Sequence, residues 1–424
     1  MSILKKIVRR FHDDGSVQTM VSLEHAIAVL SKDNEYVGEV LKSFAVDKEK
    51  EKVIRIGNVK TLLADIASLD SSAEKKDVRV KARNIVLDKM LEGEAALFTL
   101  YGIEDSEFYR LLHSDHLQVE TRYSAKDDAL DLYNLSKFAN HCRDKGWSDL
   151  LDYITSYVGA HTSNEEYRSA RLIKPVGSDR YLLRAITSDN AYRNYGINFS
   201  VLVALLALNR YVMSTKADVA VDNYQLDDSR LYLSFRLGSA VRVAGNMELS
   251  FSLILENDEI KDSSVSFSGV FQLTYTVEGV STHIILRPRA FRDTDELSFS
   301  TDMLKYTHGM KVEKVYEKIK DLPVYIERYV DRVSEYAKKI IDIKNPGEIK
   351  RFIIDTVSKA KKSEFAQYKE DVLRTLAAIE SDSIFNLFEA LRSVEELFGD
   401  DIVSREYWRS KLFDMLFSRG RDEM

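Results

Sequence analysis

The sequence predicts an α+β fold: a helical N-terminal region over residues 1–160, a central antiparallel sheet in a β-rich domain over 161–310, and a helical C-terminal region over 311–424. Three observations predict it. Proline is absent before Pro175, and helix interiors exclude proline. From about Tyr181 to Leu286 apolar residues recur at every second position, the period of a strand with one buried face. After Thr301 the spacing returns to three and four, the period of an amphipathic helix.

In the first region Ser22 is placed to cap a helix carrying Leu23, Ala26, Ile27 and Leu30 on one face. A second amphipathic run holds Val80, Ala82, Ile85, Val86, Met90, Ala95 and Leu97, and Leu130, Leu132, Leu135 and Phe138 mark a third. In the centre, Leu231, Leu233, Phe235 and Leu237 alternate with polar residues. So do Met247 to Leu255 and Phe271 to Val277, with turns at Asp227-Asp228-Ser229 and Glu278-Gly279. Gly269 interrupts its strand, as a bulge would. The most apolar stretch, Phe199 to Leu208, falls well short of the roughly 20 residues of a membrane span and reads as a buried helix over the sheet. Toward the C-terminus, stripes at Ile326 to Ile340, Ile349 to Ala360, Ile384 to Phe398 and Trp408 to Leu416 read as helices, broken at Pro346-Gly347.

With 424 residues the chain is long enough for two or three domains, each with its own core. A formal net charge of -7 argues against a uniformly basic surface but leaves room for a local basic groove. Cys142 is the only cysteine, which excludes an internal disulfide or thiolate cage and points to a reducing compartment. The charged start, Lys5-Lys6-Ile7-Val8-Arg9-Arg10, lacks the apolar core of a signal peptide, so a cytoplasmic location is expected. No phosphate loop, dinucleotide fingerprint, nucleophile elbow or His-Glu-x-x-His occurs. No cofactor and no catalytic residue are therefore expected, and a non-enzymatic role is favoured.

Three stretches carry a resemblance. They are Val221 to Leu226 with Leu231 to Phe235 across a turn, Leu255-Glu256-Asn257-Asp258-Glu259-Ile260 leading into the strand from Ser264, and Ser383-Ile384-Phe385-Asn386-Leu387-Phe388-Glu389-Ala390-Leu391. Their order, over about residues 180–416, resembles the phage/plasmid-like protein family, a domain of unknown function of tailed phages, prophages and plasmids. The family's Cys-x-Asn-Gly after the central strand is replaced here by Leu273-Thr274-Tyr275-Thr276, and the Ser of its Asn-Ser-Glu by Asp258. The resemblance implies a mobile-element origin and no agreed chemistry.

Basic clusters give the leading functional expectation. Arg168, Arg171, Lys174, Arg180, Arg184 and Arg193 are interleaved with Tyr167, Tyr181, Tyr192 and Tyr195, and Arg287 and Arg289 form a second set. Guanidinium groups for phosphate and ring faces for bases are what a single-strand groove uses. A third set runs through Lys338, Lys339, Lys344, Lys350, Arg351, Lys359, Lys361 and Lys362. The plainer reading of all three is solvated faces balanced by acids elsewhere. On the leading expectation the chain is a non-enzymatic nucleic-acid-binding protein of a phage or plasmid, with single strands the favoured partner and no membrane. The alternative is a homo-oligomeric structural or host-interaction protein. A weaker alternative, a metal-dependent nuclease, would use Glu256, Asp258, Glu259 and Asp262, although acids in a strand connection are ordinary. His113, Asp115 and His116 lack a third ligand, so no metal site is assigned.

Overall fold

The apolar residues sort into two main cores, and each core is built on its own sheet. The computed structural model describes residues 4–11, 20–32, 34–46, 52–91, 94–103, 114, 116–162, 164–260, 264–288, 290–291, 299–300, 302–341, 343–360 and 366–418. Helix forms 46% and strand 30%, so the fold is α+β with a large antiparallel sheet.

In chain order the strands are β1 (Ile7–Arg10), the short pair β2 (Val21–Ser22) and β3 (Val53–Ile54), then β4 (Ala73–Lys81), β5 (Ile85–Met90), β6 (Ala96–Tyr101), β7 (His116–Thr121), β8 (Tyr167–Pro175) and β9 (Leu182–Ser188). They continue with β10 (Val219–Leu226), β11 (Arg230–Ala244), β12 (Met247–Asp258), β13 (Val265–Val277), β14 (Val280–Leu286), the short pair β15 (Ala290–Phe291) and β16 (Phe299–Ser300), and β17 (Asp302–Tyr306).

The smaller sheet runs β4-β8-β9-β7-β6-β5, antiparallel throughout except where β7 meets β9. Helices Ala125–Asp131, Ser136–Lys145 and Ser148–His161 supply Ala129, Leu130, Ala139, Cys142 and Leu151 to its core. Here the order of elements departs from the sequence reading. The run from Val80 to Leu97, expected as a helix, is three strands. Val78 and Val80 point into the core from β4. A tight turn at Ala82–Asn84 then shifts the phase before Ile85. Two period-2 patterns joined across a corner imitate a spacing of three and four. Strands 73–121 and 167–188 thus belong to one sheet that straddles the expected boundary near residue 160.

The larger sheet runs β1-β10-β11-β12-β13-β14, with β17 on the other half of β13. Both expected turns are present. The Asp227 carboxylate accepts from the N–H groups of Ser229 and Arg230 at 2.9 and 2.7 Å, while Glu278 and Gly279 take φ of 50° and 82°, the mirror-image turn a tight hairpin needs. Over this sheet lies the helix Ile197–Thr215, apolar all round because it packs between the strands and the helices Leu23–Leu30 and Leu322–Ile341. By length and composition it matches a membrane span, yet 72% of its apolar window is buried inside the fold. Ser22 and Ser383 cap the helices that follow them, each hydroxyl accepting a backbone N–H at 3.1 Å.

Gly269 is not a bulge in its pairing with β12: it sits opposite Leu253 in unbroken register. Its role is clearance. A Cβ there would lie 2.2 Å from the buried ring of Tyr329 on the helix Leu322–Ile341. The C-terminal helices Ile384–Leu397 and Ile402–Ser418 pack along β14, where Trp408, Leu412 and Phe413 close the large core.

Candidate functional site

Between the two sheets lies a buried ionic cluster, and it takes up two of the arginines that the sequence offered for phosphate, Arg171 and Arg184. The β10–β11 turn and the end of β12 reach the strands β8 and β9. Pairing of β8 with β9 slips between Arg171 and Leu172, leaving Arg184 as the extra residue opposite that step. A bulge of this kind re-aims a side chain, and both guanidinium groups reach the same acidic residue. Arg184 Nη1 donates to Glu259 Oε2 at 2.9 Å, to the Asp228 carbonyl at 2.9 Å and to Ser229 Oγ at 3.1 Å. Arg171 donates to Asn194 Oδ1 at 2.7 Å, to Tyr192 Oη at 3.0 Å, to Asp77 Oδ1 at 3.3 Å and to the Glu259 carbonyl.

Glu259 is the hub. Lys75 Nζ meets Oε2 at 2.9 Å, while Oε1 accepts from the Ile197 N–H at 2.9 Å, at the N-terminus of the long buried helix. Negative charge at a helix N-terminus is favourable, and here it replaces a side-chain cap. Gly196 makes the approach possible, since a Cβ there would sit 2.8 Å from Oε1. Burial alone would push the Glu259 carboxyl up. The charges of Lys75, Arg184 and Arg171, with the Ile197 N–H, hold it far below the usual carboxylate range instead. A second buried cluster joins the large sheet to the last helix: Arg287 pairs with Glu256 at 2.7 Å and Glu406 at 3.2 Å, while Arg409 bridges Glu406 and Glu395.

These pairings correct the expected basic groove. Arg171, Arg184 and Arg287 are buried and ion-paired, and Tyr181 is a core residue whose ring carries the Lys174 ammonium 5.3 Å from its centroid. Tyr192 stacks on His308 at 4.6 Å, and the Arg193 guanidinium donates to the Gly309 carbonyl at 2.8 Å. Arg168 pairs with Glu166 at 2.6 Å. Of the set, Arg180 alone is exposed, and Arg289, with its neighbour Arg292, lies outside the described residues. The sequence shows the local excess of positive charge but not the acids that meet it from 75 and 119 residues away, at Glu259 and Glu406.

The acidic residues are likewise engaged. Glu256 and Glu259 are ion-paired, and Asp258 binds Arg230 at 3.2 Å; Asp262 lies outside the described residues. Among the described residues no group of three or more His, Cys, Asp or Glu side chains is placed to hold a metal ion. His116 bonds Ser114 Oγ at 2.8 Å, and its expected companions His113 and Asp115 lie outside the described residues. The third basic set keeps its exposure in part. Lys338, Lys339, Lys344 and Arg351 face solvent around the turn between the helices Leu322–Ile341 and Pro346–Lys359, whereas Lys350 donates to the Ile379 carbonyl and Lys359 pairs with Asp355. Lys361 and Lys362 lie outside the described residues.

One surface went unnoticed in the sequence. On the helix Ser148–His161, Leu151 packs inward while Leu150, Tyr153 and Tyr157 are 42%, 66% and 52% exposed, with Trp147 just before them at 49%. Tyr153 and Tyr157 stack at 6.4 Å and Tyr157 stacks on His161 at 4.1 Å, a row of rings open to solvent. Spacings of three and four were legible, but such stripes normally face a core, and exposure cannot be read from spacing.

His308 gives the seam a pH dependence. Its Nδ1 lies 3.2 Å from the Arg193 carbonyl and Nε2 has no hydrogen-bond partner. Burial, with Arg171 nearby, holds its pKa down to about 4, against the raising influence of Glu259 and the carbonyls. A histidine with a lowered folded pKa gives stability that is full above the unfolded value and is lost as pH falls toward the folded one. Acidification from pH 7 to 4.5 is therefore expected to cost about 2 kcal/mol through this residue. Urea titrations at the two pH values check it: His308→Gln, already destabilised, should lose correspondingly less over the same interval.

Comparison with protein-family models, with curated proteins and with solved structures returned no match.

Proposed function

We propose that the chain is a non-enzymatic protein that works by assembling into homo-oligomers. The observation that carries this reading is the solvent-facing aromatic row of the helix Ser148–His161, where Tyr153, Tyr157 and His161 stack on one another in the open. Contiguous exposed apolar surface on a folded chain marks an interaction site, because isolated exposed rings are common but rows are not. Tyrosine and tryptophan suit the task, with a large apolar area and few rotamers to freeze. Sedimentation velocity from roughly 1 to 100 μM, the span in which weak interfaces populate, tests self-association. Wild type should move to heavier species and the variant Tyr153→Asp/Tyr157→Asp should stay monomeric. A monomeric wild type throughout would end the reading.

A second reading keeps nucleic acid as a partner and rests on the exposed Lys338, Lys339, Lys344 and Arg351, with Glu348 the only exposed acid among the described residues of the stretch 338–351. Single-strand affinity through these groups should fall with salt, by a log–log slope of about 0.7 per phosphate contact. Gel shifts at two salt concentrations check it: Lys338→Glu/Arg351→Glu should remove binding, while Arg184→Ala should instead lower stability. A place in a phage or plasmid, implied by the family resemblance, is tested by the genes that flank this one.

A further inference from the structure

We infer that the partner of the aromatic row is a second copy of this chain, paired antiparallel about a two-fold axis near Thr155. The inference rests on the assembly reading above and adds its geometry. Leu150, Tyr153, Tyr157 and His161 follow each other at intervals of three and four, so they line one side of the helix Ser148–His161. The charges on that helix are lopsided. Asp149 and Asp152 lie in its first half, and its second half carries no Asp, Glu, Lys or Arg. A parallel pairing would set acid against acid. An antiparallel one sets each acidic half against an uncharged half that ends in His161.

The rings fall into place in the same sense. With the axis level with Thr155, Leu150 meets Ala160 and each copy's Tyr153 meets the other's Tyr157, so the stacked rings continue across the axis. A shallow hollow lined by Gly146, Trp147, Asp149 and Leu150 lies where the second copy's His161 arrives. The acids disfavour phosphate-rich occupants, whether an oligonucleotide or an anionic membrane. A two-fold pairing uses the same patch twice and closes, giving a dimer and not a fibre. Strength is limited by size. A helix of 14 residues, about 21 Å long and about 10 Å across, offers a face on the order of 200 Å², well short of the roughly 800 Å² per partner of a standard interface. The dimer should accordingly dissociate in the micromolar range, within the concentrations that sedimentation samples.

Cysteine cross-linking of the full chain tests this geometry. Cys142 is buried and gives little background, and positions 150 and 160 are exposed, so Leu150→Cys and Ala160→Cys should fold as wild type does. Mixing the two variants under mild oxidation should yield a covalent dimer at least tenfold faster than either variant alone. If sedimentation shows association but the mixture does not cross-link preferentially, this geometry is overturned and the assembly reading stands. If wild type never associates, both fail. Tight capture by anionic vesicles or by a short oligonucleotide, lost in Tyr153→Asp/Tyr157→Asp, would overturn the self-pairing by giving the row another occupant.

Discussion

Replacing Glu259 by alanine is expected to destabilise the protein by about 3–5 kcal/mol, the cost of leaving buried charge without its partner. The change strips Arg184 and Lys75 of their carboxylate and takes the cap from the Ile197 N–H. It also takes charge from beside Arg171, which keeps its bonds to Asn194, Tyr192 and Asp77. Glu259→Gln preserves the shape and one acceptor but not the charge, and should fall between alanine and wild type. The midpoint of urea unfolding reads the effect, and a loss below about 1 kcal/mol for alanine would show that the cluster is not a stabilising hub. The acid limb gives the sign. Because the folded carboxyl is held low, its contribution is full above the ordinary value near 4.3, to order of magnitude, and fades as pH falls below it. Glu259→Gln should remove that part of the acid sensitivity.

How much of this was legible follows from the range over which each signal acts. The strands from Leu231 to Val277 and the cap Ser22 were legible because alternation and capping are local facts of a few residues. The strands β4 to β6 were not, because the turn at Ala82–Asn84 resets the phase between two short period-2 runs. The arginines from Arg168 to Arg193 were visible as charge, but their partners Glu259, Asp228 and Asp77 come from other strands and turns. A charge count along the chain cannot tell a basic face from half of a buried pair. The aromatic row failed for the converse reason: its spacing fits a core stripe, and only packing decides which side of a helix is covered.

Gly269→Ala should be the most costly of the small substitutions. The new methyl would sit 2.2 to 2.6 Å from Cζ, Cε1 and Oη of Tyr329, whose ring is buried and meets Phe251 edge-on. Overpacking of a core by one methyl costs about 1–3 kcal/mol and more where the neighbour cannot move, so a loss of about 3 kcal/mol is expected. Tyr329→Leu shortens the obstacle. If clearance is the reason for glycine, the two changes together should cost less than their sum by at least about 1 kcal/mol in a double-mutant cycle. Additive losses would mean that Gly269 is needed for its backbone and not for its space.

The register of β1 bears on how the chain is made. Ile7 pairs with Leu226, 219 residues further along, and Arg10 on the same strand reaches the Gly399 carbonyl and Asp400. At a synthesis rate of about 5–20 residues per second, β1 waits on the order of 10–40 s after leaving the ribosome before its partner strand exists. The smaller sheet, contained within residues 73–188, is complete before that moment. The large core is therefore sealed late, around an already formed neighbour, and the waiting N-terminal strand is the place where a chaperone would act.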